Sequence, residues 1–237
     1  MTTWTRHLYE HDPLAIAKGE SNYLSVRNIF GYQENVTTSF IPAWEYATAY
    51  TYPTSAVTMA VASTDAANDN GYTVRIIGLD ANYNIISEDV IIPATTTKAF
   101  FRINDVIYFN TDGNQGLITV SNGGTVYAAI RIGDGRNQAS IYTVPAGHCF
   151  YLYRIDAFSN DSTSPKTGVF KNFTRDSNGV TFNVARTTFQ NQMNIQRRLP
   201  FKYDGTTDIQ FQLKTKSGTH EMNVFGEGVL VNEELDD

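Results

Sequence analysis

Most of the chain after residue 55 consists of short segments in which apolar and polar residues alternate. In the segment 72–79, Val74 and Ile76 face one way while Thr73 and Arg75 face the other. Because successive side chains of a β-strand point to opposite faces, this alternation predicts strands with one buried face. The segments predicted to be strands are 56–62, 72–79, 85–92, 100–109, 117–121, 125–132, 139–144, 149–158, 167–173, 179–187, 207–215 and 219–231.

Turn-forming residues separate these segments. Residues 122–124 (Asn-Gly-Gly) and 176–179 (Asp-Ser-Asn-Gly) supply the positive φ angles that tight hairpins need. Charged residues make up only 18% of the chain, so the Glu- and Lys-rich faces of surface helices are scarce. The sequence therefore predicts an all-β fold: an antiparallel, jelly-roll-like β-sandwich over residues 51–237. The polar stretch 160–166 leaves open a subdivision at that point.

The first fifty residues lack this alternation and are predicted to form an extended arm, residues 1–50, that contacts neighbouring subunits. Both tryptophans lie here, and three of the seven prolines fall by residue 53. Aromatic side chains in such number are not left in water, and aromatic anchors dominate interface energetics. On this interpretation a chain lacking residues 1–50 remains a soluble β domain. The candidate interface residues are Trp4, Tyr23, Phe30, Phe40, Trp44, Tyr46 and Tyr50.

Charge and composition argue against several classes of partner. The net charge of -6 disfavours nucleic acid, because binding phosphates requires an excess of Lys and Arg. No stretch approaches the run of about 18 apolar residues that spans a membrane, and no signal-peptide core is present. We therefore expect no nucleic-acid or membrane partner. Cys149 is the only cysteine, so an intramolecular disulfide is excluded and a buried strand thiol is expected.

No group of residues assembles into a catalytic site. None of the four histidines lies in a recognised nucleophile setting. His7 and His11 have the spacing of two ligands on one helical face, but a third ligand is missing. Glu88 and Asp89 point to opposite faces of a strand, so they cannot form a glycosidase pair. We expect a protein that is not an enzyme and that holds no cofactor and no metal.

Two turn sequences carry a resemblance to a known family. They are GLDANYN at residues 78–84 and YTVPAG at residues 142–147, and STDAAND at residues 63–69 and GDGRNQ at residues 133–138 accompany them. Together they resemble a family of virion structural proteins of tailed bacteriophages, common in phages of aquatic bacteria. The likeness covers roughly residues 55–160, where the proline and glycine of YTVPAG are expected to end one strand and turn the chain into the next.

The resemblance implies a capsid decoration or cement protein that stabilises the head. Its expected partners are other virion proteins, either the major capsid protein or tail and neck proteins, together with further copies of itself. The expected location is the virion, after assembly in the cytoplasm of the host bacterium. Two alternatives remain open: a neck, tail or fibre-attachment component, and a receptor- or carbohydrate-binding β-sandwich module.

Overall fold

The structure, a computed structural model, describes residues 16–21, 24–159 and 167–233. Nearly all regular structure in these ranges is β, and every strand pairing is antiparallel. The elements are β1 (Leu24–Val36), β2 (Ile41–Pro42), β3 (Ala60–Ser63), α1 (Ala66–Asp69), β4 (Thr73–Leu79), β5 (Ile85–Ile91), β6 (Ala94–Thr95), β7 (Arg102–Phe109), β8 (Ile118–Asn122), β9 (Thr125–Ile130), β10 (Ile141–Thr143), β11 (His148–Ser159), β12 (Thr167–Arg175), β13 (Thr181–Gln190), β14 (Gln192–Tyr203), β15 (Asp208–Thr215) and β16 (His220–Asn232).

The largest sheet folds over into a sandwich. Its strand order is β1-β16-β11-β14-β13-β12-β15-β10, and β2 also pairs with β15. β13 and β14 pair only between Gln190 and Gln192, on either side of Asn191 with φ 62°. The sheet bends at this corner into two layers whose apolar faces meet. A Cβ at Gly226 of β16 would lie 2.6 Å from the ring of Phe211 of β15, so the layers are in direct contact. The predicted all-β antiparallel sandwich is confirmed.

A second, smaller unit is inserted between β2 and β10. This insert, residues 57–130, contains the sheets β5-β4-β7 and β6-β3-β8-β9. Both sheets contribute to one apolar cluster that includes Val61, Ile76 and Val120. The hairpin between β8 and β9 turns at Gly123 and Gly124 with φ angles of 55° and 82°, as the Asn-Gly-Gly sequence predicts.

The boundary between the two units differs from the predicted subdivision. The cluster of the insert is separate from the sandwich cluster, which draws on residues 29–43 and 142–230. Residues 160–166 lie outside the described residues. The strands on either side of them, β11 and β12, belong to the same sheet and share one cluster, so no division falls there. A polar stretch between two strands of one sheet has the same composition as a linker between domains, so composition alone does not distinguish the two.

The predicted arm is wrong from Leu24 onward. β1 pairs with β16 in unbroken register from Leu24 to Gln33, and Ile29 is buried in the sandwich core. The inward positions of β1 that follow are Gly31 and Gln33. A Cβ at Gly31 would lie 2.2 Å from the carbonyl oxygen of Ala43, and the buried Gln33 amide donates to the Trp44 carbonyl at 2.7 Å. A glycine and a glutamine on the buried face hide the alternation of this strand.

No helix in the described part of the chain has the length and apolar character needed to cross a membrane.

Candidate functional site

A groove of about 510 Å³ opens where the insert meets the sandwich, and we call it the β1 groove. Residues of β1 and β10 line it from the sandwich side. Residues of β4, β5 and β7 line it from the insert side, together with the loop at residues 136–139. Val26, Phe30 and Ile85 give it apolar surface, and both Phe30 and Ile85 are exposed to solvent. A concave, partly apolar surface between two packed units is a common place for a partner to bind.

Segments that carry the phage resemblance meet at this groove. Gly78 of GLDANYN, Pro145 of YTVPAG and residues 136–138 of GDGRNQ all line it. The first two turns also touch, because the N–H of Ala146 donates to the carbonyl of Tyr83 at 3.0 Å. These sequences therefore hold the insert against the sandwich, and they place the groove at their junction.

A buried ion-pair cluster locks the same junction. Arg102 of β7 donates two hydrogen bonds to the carboxylate of Asp208 of β15, at 2.8 and 3.2 Å. The same carboxylate accepts from Arg175 at 2.6 Å and from the Thr143 hydroxyl at 2.6 Å. The Tyr52 ring lies 4.9 and 4.3 Å from the two guanidinium carbons, a cation–π distance for both. The two walls of the groove are thus fixed relative to each other.

β1 borders the groove with an edge that no described strand covers, and we call it the free edge of β1. Within the described residues only β16 pairs with β1. The Leu24 N–H donates to the Ser21 hydroxyl at 3.0 Å, and the Val26 carbonyl accepts from the Arg27 guanidinium at 3.1 Å. In an antiparallel pair alternate residues direct their amide groups outward, so those of Leu24, Val26, Asn28 and Phe30 point away from β16. The groove therefore offers main-chain donors and acceptors beside its apolar side chains.

The charged groups of the groove are largely balanced. Asp105 accepts two hydrogen bonds from Arg136, at 2.9 and 2.5 Å. Burial raises the pKa of Tyr142 to about 12, and the nearby Arg27 guanidinium acts in the opposite direction. Among the described residues, those that line the groove include no histidine and no cysteine.

The candidate interface residues fall into several environments. Trp44 is only 2% exposed and packs against Tyr50 with ring centroids 5.1 Å apart, so it is a core residue rather than an interface anchor. Phe40 is half-buried beneath cations, with the Lys171 ammonium 4.5 Å from its ring. Phe30 and Tyr46 are exposed by 39% and 40% and stay available to a partner.

Trp44 is buried and Tyr50 is half-buried beside it, because their segment lies over the sandwich. Tyr50 also contacts Tyr52 edge to face, at 4.8 Å between centroids. The prolines and the missing alternation predict an extended arm. In the structure this segment is instead a coil that packs on its own domain. Trp4, His7, His11 and Tyr23 lie outside the described residues.

The remaining candidates for chemistry do not converge. Glu88 accepts hydrogen bonds from the backbone amides of residues 97 and 98, whereas Asp89 pairs with Arg75. The two carboxylates face opposite ways, as predicted. Over the described ranges, no group of three or more His, Cys, Asp or Glu side chains is placed to hold a metal ion.

An acidic cluster surrounds Arg131 on the loop after β9. Arg131 pairs with Glu34 of β1 at 2.8 Å and with Glu45. Burial raises the pKa of Glu45 and of neighbouring Asp134. The cluster joins β1 to the end of the insert at a second junction. We therefore interpret it as a structural contact.

Sequence reasoning missed the polar residues of the groove. Asn104 bonds to both the N–H and the carbonyl of Thr143 at 2.9 Å, and its neighbour Asp105 holds Arg136. Two successive polar residues inside the apolar predicted strand 100–109 were the available signal. For Arg27 and Asn28 the sequence carries no such signal.

No protein-family model matches the chain, and no curated protein matches it. Among solved structures, the infectious bursal disease virus VP2 subviral particle aligns with a TM-score of 0.27 and 9% identity, over 90% of this chain and 73% of that chain. The structure of the infectious bursal disease virus Gt strain aligns with a TM-score of 0.19 and 9% identity, over 88% and 72% of the two chains. Similarities of this size assign neither a family nor a function to the chain.

Proposed function

We propose that the chain is a non-enzymatic structural protein of a tailed-bacteriophage virion, a decoration or cement protein that stabilises the capsid. The observation that carries this proposal is the free edge of β1 beside the β1 groove. Such an edge joins protein to protein through main-chain hydrogen bonds, with adjacent pockets for side chains. The expected partners are the major capsid protein and further copies of this chain, in particles assembled in the bacterial cytoplasm.

The phage resemblance supports the same proposal from the sequence side. Its segments GLDANYN, YTVPAG and GDGRNQ form the junction that shapes the groove. They make a rigid platform rather than a reactive centre. A cement protein needs such a platform, because it must hold neighbouring subunits without moving.

Purified particles test the proposal. The ratio of this chain to the major capsid protein, measured by gel densitometry, is expected to be comparable to one and to persist in DNA-filled heads. Copy numbers that match only the symmetry of the neck or tail would assign the chain to a neck, tail or fibre-attachment role instead. Absence of the chain from washed particles would overturn a virion role altogether.

A carbohydrate-binding module is the second candidate, because the groove carries side-chain amides beside the Phe30 ring. Two of these amides are already engaged inside the protein. Asn104 bonds to the backbone of Thr143, and the Asn137 side chain accepts from the N–H of Ala129 at 3.4 Å. Few side-chain amides therefore remain for a sugar, whereas an added strand can use the outward main-chain groups of β1. Saturable binding of the isolated protein to host glycans, lost in Phe30→Ala, would favour the carbohydrate reading.

A further inference from the structure

The free edge of β1 is less protected than the other open edge of its layer. At the far end of that layer, β14 carries Arg197, Arg198, Pro200 and Lys202. Cations and proline keep foreign strands away from an edge. Over its groove segment, residues 24–30, β1 contains no proline and only one charged residue. An edge of this kind is a template for pairing with another strand.

We propose that residues 1–15 of a second copy of this chain bind as an added strand along β1, in the β1 groove. The proposal rests on the proposed function for its role in a particle, but the contact itself needs only the purified protein. Each copy would lend its amino-terminal segment to one neighbour and receive one from another, or exchange it mutually. Either arrangement ties copies together without a disulfide.

The length of the segment fits the edge. Residues 24–30 extend over about 23 Å at the rise of a β-strand. Fifteen residues reach up to about 50 Å when extended, so residues 1–15 can cover this edge and still leave a connection. The segment carries Trp4, Leu8 and Tyr9 for the apolar surface of Val26, Phe30 and Ile85.

Charge is also compatible. The segment has two acidic residues, Glu10 and Asp12, against one arginine, Arg6, and exposed Arg27 lies on the groove edge. Opposite charges at the rim of a contact fix its register more than its affinity. The outward amides of Val26, Asn28 and Phe30 then supply the main-chain bonds.

The chain just before β1 argues for a second copy rather than the same copy. Strands of a hairpin are usually joined by two to five residues, so a hairpin on β1 would place roughly residues 16–21 opposite it. Residues 16 and 17 are instead helical and residues 18 and 19 form a turn, in which the Gly19 N–H donates to the Ile16 carbonyl at 3.0 Å. They do not pair with β1. Residues 16–21 therefore do not form a short hairpin of the same copy on the edge of β1.

Cross-linking between isotopically distinct copies tests this. An unlabelled Cys149→Ser, Asn28→Cys protein carries a benzophenone at residue 28, and it is mixed with heavy-isotope-labelled Cys149→Ser protein and irradiated. Mass spectrometry then identifies the linked peptides. We expect residue 28 to link to peptides from residues 1–15, with heavy and light forms in equal amounts. Arg27→Cys offers a second exposed attachment point if the first variant folds poorly.

The matched control is Gln196→Cys on β14, which is exposed but lies on the charge-protected strand. It is expected to give no link to residues 1–15. Links only to light peptides would mean that the chain covers its own edge and would overturn the exchange. No link to residues 1–15, or equal linking at residue 196, would overturn the docking. None of these outcomes bears on the proposed virion role, which the composition of purified particles tests separately.

Discussion

Arg102 and Asp208 are 106 positions apart in sequence, yet they form a two-bond ion pair that is almost fully removed from water. Their side chains are 5% and 3% exposed. Arg102 belongs to the insert and Asp208 to the sandwich, so this ion pair joins the two units. A second pair, Arg75 and Asp89, has nearly the same two-bond geometry on the surface of the insert. Comparing the two pairs separates the effect of burial on the contribution of an ion pair to stability from the effect of hydrogen-bond geometry.

Asp208→Asn is expected to cost about 3–5 kcal/mol of unfolding free energy, because it leaves the buried Arg102 without a counter-charge and also removes the partner of the half-buried Arg175. Asp89→Asn is the matched control and should change stability little, since water solvates Arg75 when its partner is lost. Urea unfolding monitored by fluorescence measures both. Equal effects of the two substitutions would show that the junction is not desolvated in solution.

The carboxylate of Asp69 should make the insert sensitive to acid. It is fully buried and accepts hydrogen bonds from Ser63, Tyr108 and the backbone amides of residues 115 and 116. Burial alone would raise its pKa, but these bonds outweigh burial and lower the pKa below its ordinary value. Its stabilising effect is therefore full above the unfolded-state pKa of about 3.9 and is lost as the pH falls through the folded-state pKa.

Asp69→Asn should destabilise the protein by about 1–3 kcal/mol at neutral pH and flatten the fall in stability below about pH 4. Asp112→Asn, in an exposed turn, is the control and should leave the acid profile unchanged. Urea midpoints measured across this pH range give the result. A parallel profile for Asp69→Asn and the unaltered protein would place the acid sensitivity elsewhere.

The strands with regular alternation could be predicted from the sequence. Each of the twelve predicted segments overlaps an observed strand, including β4 and β15, whose polar and apolar residues face different surroundings. The strands that were missed break this rule for physical reasons. β1 has Gly31 and Gln33 on its buried face, and β14 is exposed on most of its length with Pro200 within it.

The groove could not be predicted because it depends on how two units pack. Asp208 lies at the start of a predicted strand and Arg102 inside another, and nothing in either segment shows that they meet. The resemblance segments gave a partial signal, since they mark the junction. The role of Phe30 and Tyr46 in an interface stays a prediction, whereas Trp44 is a core residue.

Cys149 should be nearly inert in the folded protein. Burial, together with the adjacent Glu233 carboxylate that its thiol contacts at 2.8 Å, raises its pKa to about 12. Against the ordinary value of 9.0, the thiolate fraction at mild alkaline pH falls by about a thousandfold. Colorimetric thiol titration should detect the cysteine only after denaturant is added. Glu233→Gln should speed the native reaction modestly, and rapid native labelling of the unaltered protein would contradict the burial.

Gly31→Ala tests whether β1 is seated against its own domain. A Cβ there would lie 2.2 Å from the Ala43 oxygen and 2.7 Å from the Ser140 nitrogen, both backbone atoms that cannot rotate away. We expect a loss of about 1–3 kcal/mol in thermal or urea unfolding. Gly168→Ala is the matched control: its Cβ would meet the ring tip of Phe189, which is able to shift, so the loss should be smaller.

Two truncations separate the segment before β1 from β1 itself. Removal of residues 1–50 takes away β1 and β2, bares the edge of β16 and deletes the buried side chains of Ile29, Val36 and Trp44. That variant should be insoluble or lack a cooperative unfolding transition. Removal of residues 1–15 leaves β1 and its pairing with β16 in place, so that variant should keep the β circular-dichroism spectrum and a cooperative unfolding transition. A soluble, cooperatively melting 51–237 fragment would restore the arm interpretation, because β1 would then be dispensable to the fold.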